Sequence, residues 1–204
     1  MSMKRILIID GITGAGKSSV LKELRARIEA LPEGADTHFI YEDDTLGQIM
    51  DQVKDPAWRA RPTFEALEGT LQRMERELAA SPARSFIVER FHLTTYALFP
   101  EWDRLVRFDE WLGRLGTAHL LLSYPEPHAE RRAIERVDRQ EEQWAQGMDA
   151  WYGGREAALD AVIQSQRRRW DGLRKSVLPF LHLDTREGDW ARYAATIWTF
   201  WAGR

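Results

Sequence analysis

The chain has 204 residues, 44% of them apolar and 30% charged, with a formal net charge of -3 and no cysteine. That length suits one domain, residues 1–204, with a developed core, and the near balance of charge gives no global pull toward nucleic acid or an anionic membrane. The missing thiols exclude disulfides, thiolate metal sites and a Cys nucleophile, and no stretch near the start is long enough for a signal segment or a membrane span, which fits a cytoplasmic protein.

The apolar run Ile6-Leu7-Ile8-Ile9, within Lys4 to Asp10, reads as a buried strand. It leads into Gly11-Ile12-Thr13-Gly14-Ala15-Gly16-Lys17-Ser18, a complete G-x-x-x-x-G-K-S phosphate-binding loop. Glycines let the backbone wrap its N–H groups around a polyphosphate, and the helix predicted over Lys17 to Ala30 turns its positive end to the same anion. Gly11, Thr13, Gly14, Ala15, Gly16, Lys17, Ser18 and Ser19 are therefore the expected ATP-binding residues. Lys17 would reach the β- and γ-phosphates, and Ser18 would ligate Mg2+. A Gly-rich turn that binds nothing is the competing reading.

Four further apolar runs, Thr37 to Tyr41, Ser85 to Val88, His119 to Ser123 and Phe180 to Leu183, alternate with helical pattern. Helices are expected at Thr63 to Ala80, Asp103 to Leu115, Pro127 to Glu142, Glu156 to Ser176 and Trp190 to Trp201. Strand and helix in alternation predict an α/β fold of three layers, with a five-stranded parallel sheet in the order 2-3-1-4-5. Ligands bind such sheets beyond the carboxyl ends of the strands, so the residues just after each run carry the functional expectations.

After the second run stands Glu42-Asp43-Asp44. Glu42, nearest the strand, is the candidate base for an alcohol acceptor; the alternative is a solvated acidic turn in which Asp44 or Thr45 caps a helix from Leu46. The third run ends in Glu89-Arg90, where Glu89 could hold the water shell of Mg2+ and Arg90 could grip an acceptor oxygen, against a plain structural ion pair. Arg132, Arg136 and Arg139 share one helical face at i, i+4 and i+7, as arginines of a lid over residues 126–154 would. A solvated face paired with Glu135, Asp138 and Glu142 is the alternative. Arg167-Arg168-Arg169 point in different directions on a helix and read as solvated surface, and His38, His119, His128 and His182 lack metal-ligand spacing. The segment Trp58 to Phe64 reads as the floor of an acceptor pocket or as a loop anchored by one Trp. Met148 to Gly154 reads as an aromatic flap or as packing with a turn.

Together these segments resemble the thymidylate kinase and deoxynucleoside kinase group of phosphate-loop kinases. EDDTLGQIM (Glu42 to Met50) and ERFHLTTYAL (Glu89 to Leu98) are similar to thymidylate kinase segments, and the run from Arg132 to Glu142 resembles the deoxynucleoside kinase lid. The resemblance implies a phosphate-loop kinase fold with a helical lid. It gives Glu89 the metal-side carboxylate role, Arg90 the acceptor-gripping role and Thr94 and Thr95 the hydroxyls beside them. Arg132, Arg136 and Arg139 become phosphate binders, and Thr185 part of the loop flanking the ATP base. Two positions depart from thymidylate kinases: Tyr41 replaces their Arg before the Glu, and Glu68 falls where their Arg-Ala-Gln signature has Arg.

The expectation is an ATP- and Mg2+-dependent kinase whose acceptor is a nucleoside, a nucleoside monophosphate or a similar small molecule, with no membrane or nucleic-acid partner. A homodimer is among the assemblies left open. The alternatives are a kinase for an antibiotic or specialised-metabolite hydroxyl, and an ATP-binding regulatory module that transfers nothing.

Overall fold

The computed structural model describes residues 5–31, 36–44, 56–124, 131, 134–135 and 142–203, with the backbone alone at 43, 56–63, 143 and 144. Strand β1 (Ile6–Gly11) runs into α1 (Lys17–Glu29), then β2 (Thr37–Ile40) and a single helical turn at Glu42–Asp44. Helix α2 (Pro56–Ala80) precedes β3 (Ser85–Glu89), which is followed by α3 (His92–Leu98), α4 (Trp102–Arg114) and β4 (Thr117–Ser123). Helices α5 (Glu142–Tyr152) and α6 (Arg155–Lys175) lead to β5 (Phe180–Asp184), and α7 (Trp190–Ala202) closes the described chain.

The five strands form one parallel sheet in the order β2-β3-β1-β4-β5. β1 and β4 lie inside it and are buried along their whole length, which is why they read as nearly unbroken apolar runs. β5 lies at an edge and begins exposed at Phe180.

Because side chains alternate along a strand, β1 feeds two separate cores. Leu7 and Ile9 pack with Val20, Leu24 and Ile28 of α1, Leu120 and Leu122 of β4, and Ile197 and Trp201 of α7. Ile6 and Ile8 face the other way, against Leu67, Leu71 and Met74 of α2 and Leu105, Phe108 and Leu112 of α4. Ordinary hydrophobic burial accounts for both layers, at about 1.5–3 kcal/mol per fully buried large side chain. On the second face α6 packs on α3, and at Gly172 the helices lie so close that a Cβ would stand 2.8 Å from both Leu93 and Tyr96. Any side chain there would push them apart.

Two expectations are corrected. Trp58 to Phe64 is the opening of α2 and not a loop before it, so that helix starts at Pro56 rather than Thr63. A seven-residue helix, α3, follows β3 where only a strand end was read; it is too short to show helical periodicity. The lid expectation over residues 126–154 is described only at 131, 134–135 and from 142 onward. There Ile134 is buried in the α1 core, and Arg131 is hydrogen-bonded to Glu135 at 3.0 Å and to Glu156 of α6 at 2.6 Å.

Candidate active site

The loop after β1 takes a backbone path that side chains other than glycine resist. Gly14 and Gly16 have φ of 81° and 89°, and a Cβ on Gly16 would meet the Trp190 ring at 2.3 Å. Tyr124, just beyond β4, donates its hydroxyl to the Gly14 carbonyl at 2.8 Å and holds the loop from the other side. The N–H groups of α1 begin at this loop, as an anion cradle requires. Lys17 lies in it with only 7% of its surface exposed, its Nζ donating to the Ile12 carbonyl at 3.3 Å. Ser18 is exposed and Thr13 and Ser19 are half-buried.

Three of the residues expected opposite the loop converge on it. Burial, with the positive charge of Arg90 adding to it, brings the Lys17 ammonium down to about 7, while Glu89 and Glu42 pull the other way. Burial pushes the Glu89 carboxyl up, resisted by Lys17 and Arg90. Arg90 Nη1 donates to Glu42 Oε1 at 2.5 Å, so the end of β2 and the end of β3 are joined by a charge-assisted bond. Arg90 has φ of 53°, a left-handed conformation unusual for a residue with a side chain, and its N–H donates to Ile9 of β1 at 2.9 Å. A buried cation at a glycine cradle, facing an acid–base pair across a parallel sheet end, can neutralise a polyphosphate and take a proton from an alcohol.

Beneath this cluster lies a layer that the sequence reading missed. Asp10, the last side chain of β1 before Gly11, is fully buried. Its Oδ1 accepts from Thr94 Oγ1 at 2.5 Å and from Arg169 Nε at 3.2 Å, and Arg169 Nη2 donates to Thr94 Oγ1 at 3.3 Å. Arg169 Nη1 donates to Ser165 at 2.8 Å. Desolvation alone would raise the Asp10 carboxyl, but the neighbouring His119 and Arg169 outweigh it and hold the group well below the usual carboxylate range. His119 Nε2 stands 3.3 Å from Asp10 Oδ2 without the alignment of a hydrogen bond. Its ring meets His92 edge-on at 5.6 Å, and His92 is hydrogen-bonded to Asp109 at 3.0 Å. A polar chain thus runs under the sheet from the phosphate loop to α4.

Arg169 corrects the reading of Arg167 to Arg169 as solvated: it is 4% exposed, because α6 presses onto α3 and turns that one residue inward. Consecutive arginines do point in different directions, and one direction is the core. Thr94 and Thr95 are also buried; Thr94 is bonded to Asp10, and Thr95 lies 3.5 Å from the Phe91 carbonyl. Neither hydroxyl is turned to an acceptor. A carboxylate ending a buried strand was the signal that could have found Asp10.

Thr185 is buried, and both its N–H and its hydroxyl are directed to the Ser123 carbonyl, at 3.1 and 3.4 Å. Phe64 packs in the second core, its ring stacked on Phe108 at 6.2 Å and covered by Arg104 at 4.0 Å. It borders an open hollow of about 360 Å³ with Asp103, Arg104 and Arg107. Glu68 is bonded to Arg107 at 3.1 Å. Trp151 and Tyr152 are partly exposed at the end of α5, whereas Met148 packs on the first core. Arg132, Arg136 and Arg139 lie outside the described residues. Among the described residues no group of three His, Asp or Glu side chains is arranged to hold a metal by itself, and no helix is long and apolar enough to cross a membrane.

The sequence matches no family model and no curated protein. The fold does match solved structures. One is the YorR protein of Bacillus subtilis, crystallised in complex with phosphorylated GDP: it is 13% identical to this chain with a TM-score of 0.57, over 96% of this chain and 94% of that one. The chain therefore shares with that protein an α/β fold, here built on a five-stranded parallel sheet in the order 2-3-1-4-5.

Proposed function

We propose that this chain is an ATP- and Mg2+-dependent phosphotransferase whose acceptor is a hydroxyl group on a nucleoside or a similar small molecule. The carrying observation is the buried Lys17 in a loop whose Gly14 and Gly16 take left-handed backbone, faced by Glu42 bonded to Arg90 at 2.5 Å. A chain of the same fold crystallised with phosphorylated GDP supports a nucleotide in the cradle.

The loop amides and Lys17 would bind the polyphosphate, an anion that answers the burial pressing on the Lys17 charge. Ser18 and Glu89 would hold Mg2+, whose chemistry here is neutralisation of phosphate charge. Glu42 would accept the acceptor's proton as its oxygen forms a bond to the γ-phosphorus and the bond from that phosphorus to the β,γ-bridging oxygen breaks, leaving ADP. Arg90 orients Glu42. Arg132, Arg136 and Arg139 belong to this reading as lid residues that close on the transferring group, and residues 1–204 as one domain.

The observation also favours an alcohol over a phosphate acceptor. An alcohol needs a base at the position Glu42 occupies, whereas a phosphate acceptor needs Arg90 as a free cation, and Glu42 already engages it. The test is ATP consumption with mass analysis of products over a panel of nucleosides, nucleoside monophosphates, aminocyclitols and phenolic alcohols. The expected product is a new phosphomonoester on a hydroxyl. Lys17→Ala should lower kcat about 10³-fold, and Glu42→Gln about 10²- to 10⁴-fold. ATP binding without transfer to any acceptor would instead support the regulatory module, and a Lys17→Ala protein with wild-type turnover would sink the proposal.

A further inference from the structure

Arg90 holds a left-handed backbone at φ 53°, a conformation that costs an L residue of order 1–3 kcal/mol unless its surroundings impose it. Among the described residues its side chain is bonded outward, to Glu42, and its N–H to Ile9. What keeps the chain after Arg90 from relaxing lies four residues further on, where Thr94 is bonded to Asp10. Ile9 and Asp10 are neighbours on β1. One strand end thus grips the turn at Arg90 by its backbone and at Thr94 by a side chain, and the next residue is the first glycine of the phosphate loop.

We propose that Asp10, with Thr94 and Arg169, is a positioning residue: it clamps the turn from Glu89 to Thr95 onto the end of β1 and so sets Arg90, and through it Glu42, against the phosphate loop. The clamp is fully desolvated. Its carboxylate is met by the Thr94 hydroxyl and the Arg169 guanidinium, and Arg169 also reaches Thr94, so the three close into a ring of hydrogen bonds. Arg169 brings in α6, which follows the residues of the lid segment and is bonded near its start, at Glu156, to Arg131. The clamp therefore joins β1, α3 and α6 at one point directly below the cluster of Lys17, Glu89, Arg90 and Glu42. A hydroxyl spent on Asp10 rather than on an acceptor explains why a buried acid is kept at the end of an otherwise apolar strand.

The consequence for turnover rests on the phosphotransferase reading; the consequence for geometry does not. Thr94→Val removes the hydroxyl at nearly constant volume and Thr94→Ser keeps it. In the full-length protein, amide hydrogen exchange at Arg90 should accelerate about tenfold or more in Thr94→Val, and stay near wild type in Thr94→Ser, while amides of β4 are unchanged. With an acceptor from the panel, Thr94→Val should lose about 10- to 100-fold in kcat with the KM for ATP altered less than about threefold, and Thr94→Ser should recover it. If Thr94→Val does not fold, Asp10→Asn combined with Arg169→Met, which removes both buried charges, carries the same two readouts. Unchanged exchange at Arg90 in a folded clamp variant overturns the proposal, as does a fall in ATP affinity with kcat intact. Accelerated exchange with no turnover even in wild type upholds the clamp and overturns the kinase reading alone.

Discussion

The two faces of the sheet are built from alternate residues of the same strand, yet they differ in kind. Under α1 and α7, Leu7 and Ile9 sit in a layer of Val, Leu, Ile and Trp side chains. Under α3, α4 and α6, Ile6 and Ile8 begin a similar layer, but the next side chain in line is Asp10, followed outward by Arg169, His119, His92 and Asp109. The first face stabilises by area alone. The second pairs buried Asp10 with Arg169 and gives Asp109 hydrogen bonds with His92, Ser176 and the Val177 N–H, and it is the face that reaches the Lys17 cluster. Polarity under cover is tolerated here because partners are close, and it is retained where geometry, not bulk stability, is at stake.

Variants on the two faces can break or sharpen that contrast. The largest loss is expected from Arg169→Met alone, which strands Asp10 without its counter-ion and should cost about 3–5 kcal/mol in denaturant unfolding. Adding Asp10→Asn should recover most of it, and a double variant as unstable as the single would mean that the charges are not what the face depends on. On the apolar face Leu24→Ala should cost about 3 kcal/mol through the cavity it leaves, with no companion substitution of a charge able to restore it.

The polar face should also titrate. Burial lowers the His119 pKa against the pull of Asp10, and Asp10 itself is held low. In both cases the unfolded chain binds protons that the folded chain does not, so stability rises with pH and is lost as pH falls. The His119 contribution begins to fall away below about 6.5, and that of Asp10 below about 4. The groups facing His119 are Asp10 and His92, with Asp109 beyond, and Arg169 lies on the far side of Asp10. His119→Gln should flatten the acid limb of stability below about pH 6.5; an unchanged limb would remove His119 from the account. The smallest effect belongs to the outer helices. Arg107 is paired with Glu68 in solvent, and Arg107→Ala should change stability by less than about 1 kcal/mol.

Within the sequence, the phosphate loop and the sheet order were readable because each rests on local chemistry: glycines and a lysine at fixed spacing, and apolar runs alternating with helical period. The opening of α2 was not, since Trp58 to Phe64 mixes Arg, Pro and aromatics and shows no apolar stripe in the sequence. Glu42, Glu89 and Arg90 were legible as residues at strand ends, and parallel pairing of β2, β3 and β1 is what draws those ends together. Their mutual geometry was not legible. Nothing local says that Glu42 bonds Arg90 across 48 positions, or that Arg169 answers Asp10 across 159.

The sequence by itself determined a glycine-rich Gly-Lys-Ser loop at the end of a central strand and the order of the strands around it, because both follow from short-range pattern. Only the tertiary structure decided which charges are buried together. Burial depends on what α6 and α3 bring against β1, and one arginine of three, together with a threonine that looked ready for an acceptor, turned inward to hold the last acid of the strand.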